Sequence, residues 1–176
     1  MSYFSEGVTK NKLTVLYFMQ KLGLAITKDQ ITTVGAAYDL APYFELQSAV
    51  AEMEEDGLLA AVPRPFGQVY ALSARGQEVV EMFKERLPVS LRDDLDSYAD
   101  ECRDDIRRQT QYSAKIERRP GGECLVRCLF MEKEEPLLSI ELLFPDAASA
   151  NKAAAIWEKK AEDAYCYLLS SLSDSQ

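Results

Sequence analysis

Between residues 13 and 81 the chain alternates helical apolar stripes with strong start and stop signals, and their order restricts the topology more than any single motif does. Over 9–22, Val15, Phe18, Met19 and Leu22 recur at helical spacing, and Gly23 supplies a stop. Thr27 is placed to cap a second helix over 28–38, with Gln30 at the capping-box position. Asp39, Leu40, Ala41 and Pro42 read as a turn, and Pro42 suits the first turn of a third helix over 41–56. Leu46, Ala49, Val50 and Met53 form that helix's stripe, and Gly57 its C-cap. Two short strands, 58–62 and 68–72, flank a hairpin tip at 63–67. Ser73 then caps a fourth helix to about residue 86, closed by Pro88.

Three helices, a hairpin and a helix is the order of a winged helix-turn-helix, assigned here to residues 1–89. A second unit, 90–176, reads α-β-β-β-α. Its first helix, 91–111, is highly charged and sets Leu91, Leu95, Tyr98, Cys102 and Ile106 on one face. Strands over 112–119, 123–132 and 136–144 follow, with turns at Gly121-Gly122 and at 133–135. The last helix starts at Pro145 and Asp146 and runs to about 172. It carries the stripe Ala150, Ala154, Trp157, Ala161, Ala164, Tyr165, Leu168 and Leu172. The expected class is α+β, with an antiparallel three-stranded sheet in the second unit. The first helix is apolar on more than one side, because Leu13, Leu16 and Tyr17 accompany its core stripe. That predicts burial against the second unit or a second subunit.

Composition narrows the chemistry. An apolar fraction of 47% is ample for a packed core. The chain has no His, which removes the usual general base and a common zinc ligand. There is no Gly-rich phosphate loop, nucleophile elbow or paired acidic metal motif. The carboxylates of 93–105 interleave with Arg92, Arg103, Arg107 and Arg108 as on a solvated helix. Cys124 and Cys128 share a strand face about 13 Å apart, too far for one zinc or a disulfide. Cys102 and Cys166 fall on apolar helix sides. No catalytic residue, metal or cofactor is expected. No basic-then-apolar leader opens the chain, and no apolar run approaches the eighteen or so residues of a membrane span. The expectation is a cytoplasmic protein without a membrane partner.

A net charge of −9 sets the central conflict. The third helix has no Lys or Arg, but carries Glu45, Glu52, Glu54, Glu55 and Asp56. In a helix-turn-helix, bases are read by the exposed first turns of this helix. Here Gln47 has the groups to read adenine, Ser48 to bond a base or phosphate, Glu45 to accept from cytosine, and Tyr43 to donate to a phosphate. Arg64 at the wing can enter a minor groove or clamp a phosphate, or simply be a solvated turn residue. Lys10, Lys12 and Lys28 lie near helix starts, where backbone phosphates are met. The opposing reading makes the third helix a protein-docking face, anchored by Tyr43 and Phe44. Trp157, Tyr165 and Leu168 read first as core, with a small-molecule pocket as the alternative.

The segments YFELQSAVAEMEEDGLL and QVYALSARGQEVVEMF resemble winged-helix regulators. In these an acidic-Gly-Leu-Leu helix end leads into the wing, and Tyr-x-Leu-Ser/Thr-x-x-Gly opens the next helix. With YSAKIERRPGGECLVRCLFMEKEEPLLSIELLFP and AAAIWEKKAEDAYCYLLSSL, the whole chain resembles a domain-of-unknown-function family of winged-helix proteins from clostridia and related bacteria. The resemblance implies a winged-helix N-terminal domain, a sheet-plus-helix C-terminal domain and, by analogy, a role in transcription regulation. The expected function is that of a homodimeric DNA-binding regulator. The alternative is a winged-helix interaction module that docks a basic protein and does not read DNA.

Overall fold

The computed structural model describes residues 6–132 and 135–173. The chain is mixed α+β and divides into two compact units, one ending at Ile106 and the other beginning at Arg107. Sequence patterning puts this boundary at 89/90. The difference lies in one helix, described below.

In the first unit α1 is Glu6–Leu22, α2 Lys28–Ala37 and α3 Tyr43–Glu55; β1 is Leu59–Arg64, β2 Gly67–Leu72 and α4 Ala74–Phe83. A 3-10 turn, Lys84–Arg86, extends α4, and α5 is Val89–Gln111. The start signals act as read. Thr27 Oγ1 accepts from the Gln30 N–H at 3.2 Å, and Gln30 Oε1 accepts from the Thr27 N–H at 2.9 Å. This closes a capping box that satisfies two helix-end donors. At the end of α3, Gly57 takes φ +70°. Its N–H bonds the Glu54 carbonyl at 3.0 Å, and the Leu58 N–H bonds the Met53 carbonyl at 2.8 Å. That is a Schellman closure, which needs a residue without Cβ strain at this position.

The hairpin is tighter than its composition suggests. β1 and β2 pair from Leu59↔Leu72 to Arg64↔Gly67, leaving only Pro65 and Phe66 as the turn. Pro63 and Arg64 therefore belong to the strand. Pro63 fits there because β1 pairs with β2 alone and has a free edge for a residue without an N–H. The other side of β2 is engaged: the Ile26 N–H bonds the Tyr70 carbonyl at 3.0 Å, and the Tyr70 N–H returns to Ile26 at 2.7 Å.

α1 is the hub of the first unit. Residues 12–19 are all buried. Part of the cover comes from α5, whose Leu95, Ala99 and Ile106 join the core of α1, α2, α3 and α4. Tyr98 of α5 packs on Phe18 and on Tyr38, each with ring centroids 5.7 Å apart. Arg103 donates to the carbonyls of Leu22 at 3.2 Å and Lys21 at 2.9 Å, covering the C-terminal end of α1. The apolar face read on 91–111 is real, but it serves the first unit. The many-sided apolar character of α1 is thus accounted for within that unit.

The Tyr17 hydroxyl donates to Asp96 Oδ1 at 2.9 Å. Burial, together with the hydrogen bond to Asp96 and its negative charge, pushes this phenol up to about 12. The folded state therefore holds the proton more tightly than the unfolded chain, whose tyrosines titrate near about 10. The stability this provides is complete below about pH 10 and is lost as pH rises from about 10 to about 12. Tyr17→Phe is expected to lose less stability than wild type between about pH 9 and 11.5 in urea unfolding; equal losses would remove Tyr17 from the alkaline transition.

The second unit holds β3 Tyr112–Arg118, β4 Cys124–Glu132, β5 Glu135–Phe144 and α6 Ala147–Ser173. The strands form an antiparallel meander with β4 in the centre. The turn read at 133–135 includes residues 133 and 134, which lie outside the described residues. Tyr112, Cys124, Val126 and Cys128 share one sheet face and are buried with Ala150, Trp157 and Ala161 of α6. The small alanines let the helix approach closely, and Trp157 fills the space between them. Its indole N–H donates to the Leu129 carbonyl at 3.0 Å, beside an irregularity in register at Phe130/Met131. Tyr112, Phe130 and Tyr165 continue the packing edge-to-face at 4.8 and 5.3 Å. Trp157 and Tyr165 are thus packing residues. Cys166, read as an apolar-side thiol, is exposed, and so is Leu172 at the end of the stripe. On the opposite sheet face Arg127 meets Glu117 at 3.4 Å and Glu141 at 2.6 Å, tying the three strands together.

Candidate functional site

The surface that draws attention is α3 with its flanking turn and hairpin. Leu46, Val50 and Met53 point inward. Leu46 packs where α2 has Gly35, at which a Cβ would collide with the Leu46 side chain. The opposite side of α3 is therefore displayed. Its first turns carry Tyr43 and Phe44, 55% and 81% exposed, with rings edge-to-face at 5.6 Å. Glu45 and Ser48 are exposed and Gln47 is half-buried. Phe44, Ser48 and Glu55 recur on one exposed stripe, and Tyr43 and Gln47 on the adjacent row. The first two turns of this face are mostly neutral, and its negative charge gathers at the far end in Glu54, Glu55 and Asp56.

Glu52 leaves that acidic set. Lys12 is only 6% exposed and donates to Glu52 Oε2 at 2.6 Å, joining α1 to α3. Lys12, read as a phosphate contact, is therefore committed to the interior. Lys10 is exposed, because two residues along a helix is about 200° of rotation. Between them Asn11 donates to the Leu40 carbonyl in the turn before α3. Lys28 is the first residue of α2 and half-buried, and Arg64 ends β1, also half-buried. Arg64 therefore stands one position before the hairpin turn.

Patterning missed Arg75 in the first turn of α4. It is exposed, and its guanidinium lies about 4.0 Å from where a Cβ on Gly57 would sit. A cation in the Ser-x-x-Gly segment just after the hairpin was the available signal. Cys102 and Cys128 have thiols pushed up by burial, which makes them poor nucleophiles. Among the described residues, no three His, Cys, Asp or Glu side chains gather where they could hold a metal ion. Among the same residues, no helix is long and apolar enough to cross a membrane.

These features define a two-unit α+β protein whose first unit displays the start of one helix beside a short hairpin. Residues 11–172 match the family described as a domain of unknown function (DUF4364), and the chain belongs to that family. No curated protein and no solved structure matches it.

Proposed function

We propose that this chain is a cytosolic winged-helix regulator that reads DNA as a homodimer. In this reading α3 enters the major groove by its first turns, and β1 and β2 are the wing. The observation that carries it is the displayed, largely uncharged start of α3, on a helix tied to α1 by the part-buried Lys12–Glu52 pair and followed by a hairpin with a two-residue turn. A tilted α3 that inserts only Tyr43, Gln47 and Ser48 keeps Glu54, Glu55 and Asp56 away from phosphates. Lys10, Lys28, Arg64 and Arg75 supply cations at the surrounding surface. Leu169 and Leu172, exposed at i, i+3 on the last turns of α6, offer an apolar face to a second copy. Paired half-sites would then raise affinity and specificity. Four free thiols agree with a reducing compartment.

The test is selection of genomic fragments by the full chain at about 50 mM salt, followed by affinity measurement at the recovered site. Gln47→Ala and Arg64→Ala are each expected to weaken that site about tenfold, and affinity should fall steeply with salt. Recovery of no shared motif, or unchanged affinity in both variants, would overturn the reading.

Phe44 favours a second reading. An 81% exposed phenylalanine at the start of a helix whose far end is acidic suits a basic protein partner as well as a groove. Phe44→Ala separates the two, because it abolishes docking of such a partner while leaving the base contacts of Gln47 in place.

A further inference from the structure

In the second unit the order β3-β4-β5 leaves the outer edge of β5 without a strand among the described residues. Along such an edge alternate residues turn their N–H and C=O groups outward, where another extended chain can pair with them. Sheet edges are ordinarily blunted by charge or proline. β3, the other edge, carries Lys115, Glu117 and Arg118. β5 has one charge between Pro136 and Phe144, Glu141, and Arg127 of β4 holds that carboxylate at 2.6 Å. Every residue of β5 is exposed or half-buried, and Leu137, Leu142 and Leu143 are 37%, 45% and 50% exposed. The pairing of β5 with β4 is regular from Leu138 to Phe144, so this part of the edge is unbroken.

We propose that β5 pairs antiparallel with β5 of a second copy, about a two-fold axis at Ile140, so that two three-stranded sheets become one. The segment 137–143, Leu-Leu-Ser-Ile-Glu-Leu-Leu, sets both the occupant and the register. A two-fold antiparallel pair needs a strand that reads alike in both directions, and about Ile140 this one does. Ile140 meets its own copy, Leu138 meets Leu142, Ser139 meets Glu141, and Leu137, beside the register irregularity, comes to Leu143. Other axes lose the match. At Glu141 that carboxylate meets its copy, at Leu138 Glu135 meets Glu141, and at Ser139 Glu141 falls on Leu137. Apolar cross-strand pairs stabilise, and like charges directly opposite destabilise. An unrelated strand would have to match this pattern by its own sequence, whereas a second copy matches it by symmetry. The interface stands on the second unit alone and holds whether or not α3 reads DNA.

Sedimentation equilibrium of the full chain tests it. At about 50 µM the chain is expected to sediment as a dimer. Leu142→Lys combined with Leu143→Lys, both at exposed positions, should give monomers with an unchanged far-ultraviolet circular dichroism spectrum. The exposed Ser139 tests the register. Ser139→Glu sets a carboxylate opposite Glu141 twice per dimer and should weaken association about tenfold, whereas Ser139→Lys sets an ammonium there and should keep or tighten it. This pair decides the question even if the double lysine variant fails to fold. A monomer at that concentration would overturn the interface together with the homodimer, and would leave the DNA selection to be judged by itself. A dimer that withstands the double lysine variant, or that responds alike to Ser139→Glu and Ser139→Lys, would overturn the strand interface while keeping the homodimer.

Discussion

Gly76→Ala is expected to destabilise the first unit by about 2 kcal/mol, although it replaces glycine with the best helix former. Alanine gains about 1 kcal/mol in an α-helix interior. Against this, a Cβ at Gly76 would drive into the Leu58 carbonyl oxygen and crowd Leu72 Cδ1 at 2.7 Å. Overpacking of a tight site costs about 1–3 kcal/mol, and the upper end applies when backbone must yield. Leu58 has little freedom to yield. Its carbonyl accepts from the Ser73 N–H at 3.1 Å and from Ser73 Oγ at 2.9 Å, and its N–H closes the end of α3. Ser73 Oγ in turn accepts from the Gly76 N–H at 2.9 Å. Urea unfolding followed by far-ultraviolet circular dichroism measures the effect; an unchanged or raised midpoint would mean that α4 and Leu58 are not this close. Gly35→Ala provides the contrast. Its neighbour is the flexible end of the Leu46 side chain, so its cost should be smaller.

Trp157→Ala is the larger loss, about 3–5 kcal/mol. Trp157 is the one tryptophan of the chain and lies at the centre of the second unit's core. Truncation empties the space between Ala150, Ala161 and the sheet, and strips the Leu129 carbonyl of its indole donor. Trp157→Phe should retain much of the burial and lose about 1–2 kcal/mol, mainly the hydrogen bond and the smaller ring. If the two variants were equally stable, packing would not be the role of this residue. Both are read by denaturation monitored in the far ultraviolet, because the fluorophore itself is removed.

Local signals were legible where the chemistry is local. Thr27 with Gln30, Gly57, and Ser73 each act within a few residues, and each ends or begins an element as patterning implies. The α6 stripe through Ala150, Trp157 and Ala161 was legible because period 3.6 alone decides which side is apolar. What patterning could not assign was the neighbour. Leu95, Ala99 and Ile106 form a clear face on α5, but nothing in their spacing says which unit it covers. Lys12 looked exposed because it is a lysine at a helix start, and its burial depends on Glu52, 40 residues away. Turn-rich composition places Pro63 in the hairpin tip, yet one free strand edge is enough to admit it to β1. In the candidate site Tyr43, Phe44 and Ser48 are displayed as expected, whereas Lys12 is withdrawn and Arg75 is added.

The central position of α1 has a consequence for the order in which the protein can be made. α1 receives its last partners late: Asp96 reaches Tyr17 across 79 residues, and Arg103 reaches the Leu22 carbonyl across 81. A nascent chain released from the ribosome only to the hairpin would leave Phe18 and its neighbours without their cover from α5. The first unit therefore closes only when nearly all of its chain has emerged, and until then part of the apolar surface of α1 lacks its cover.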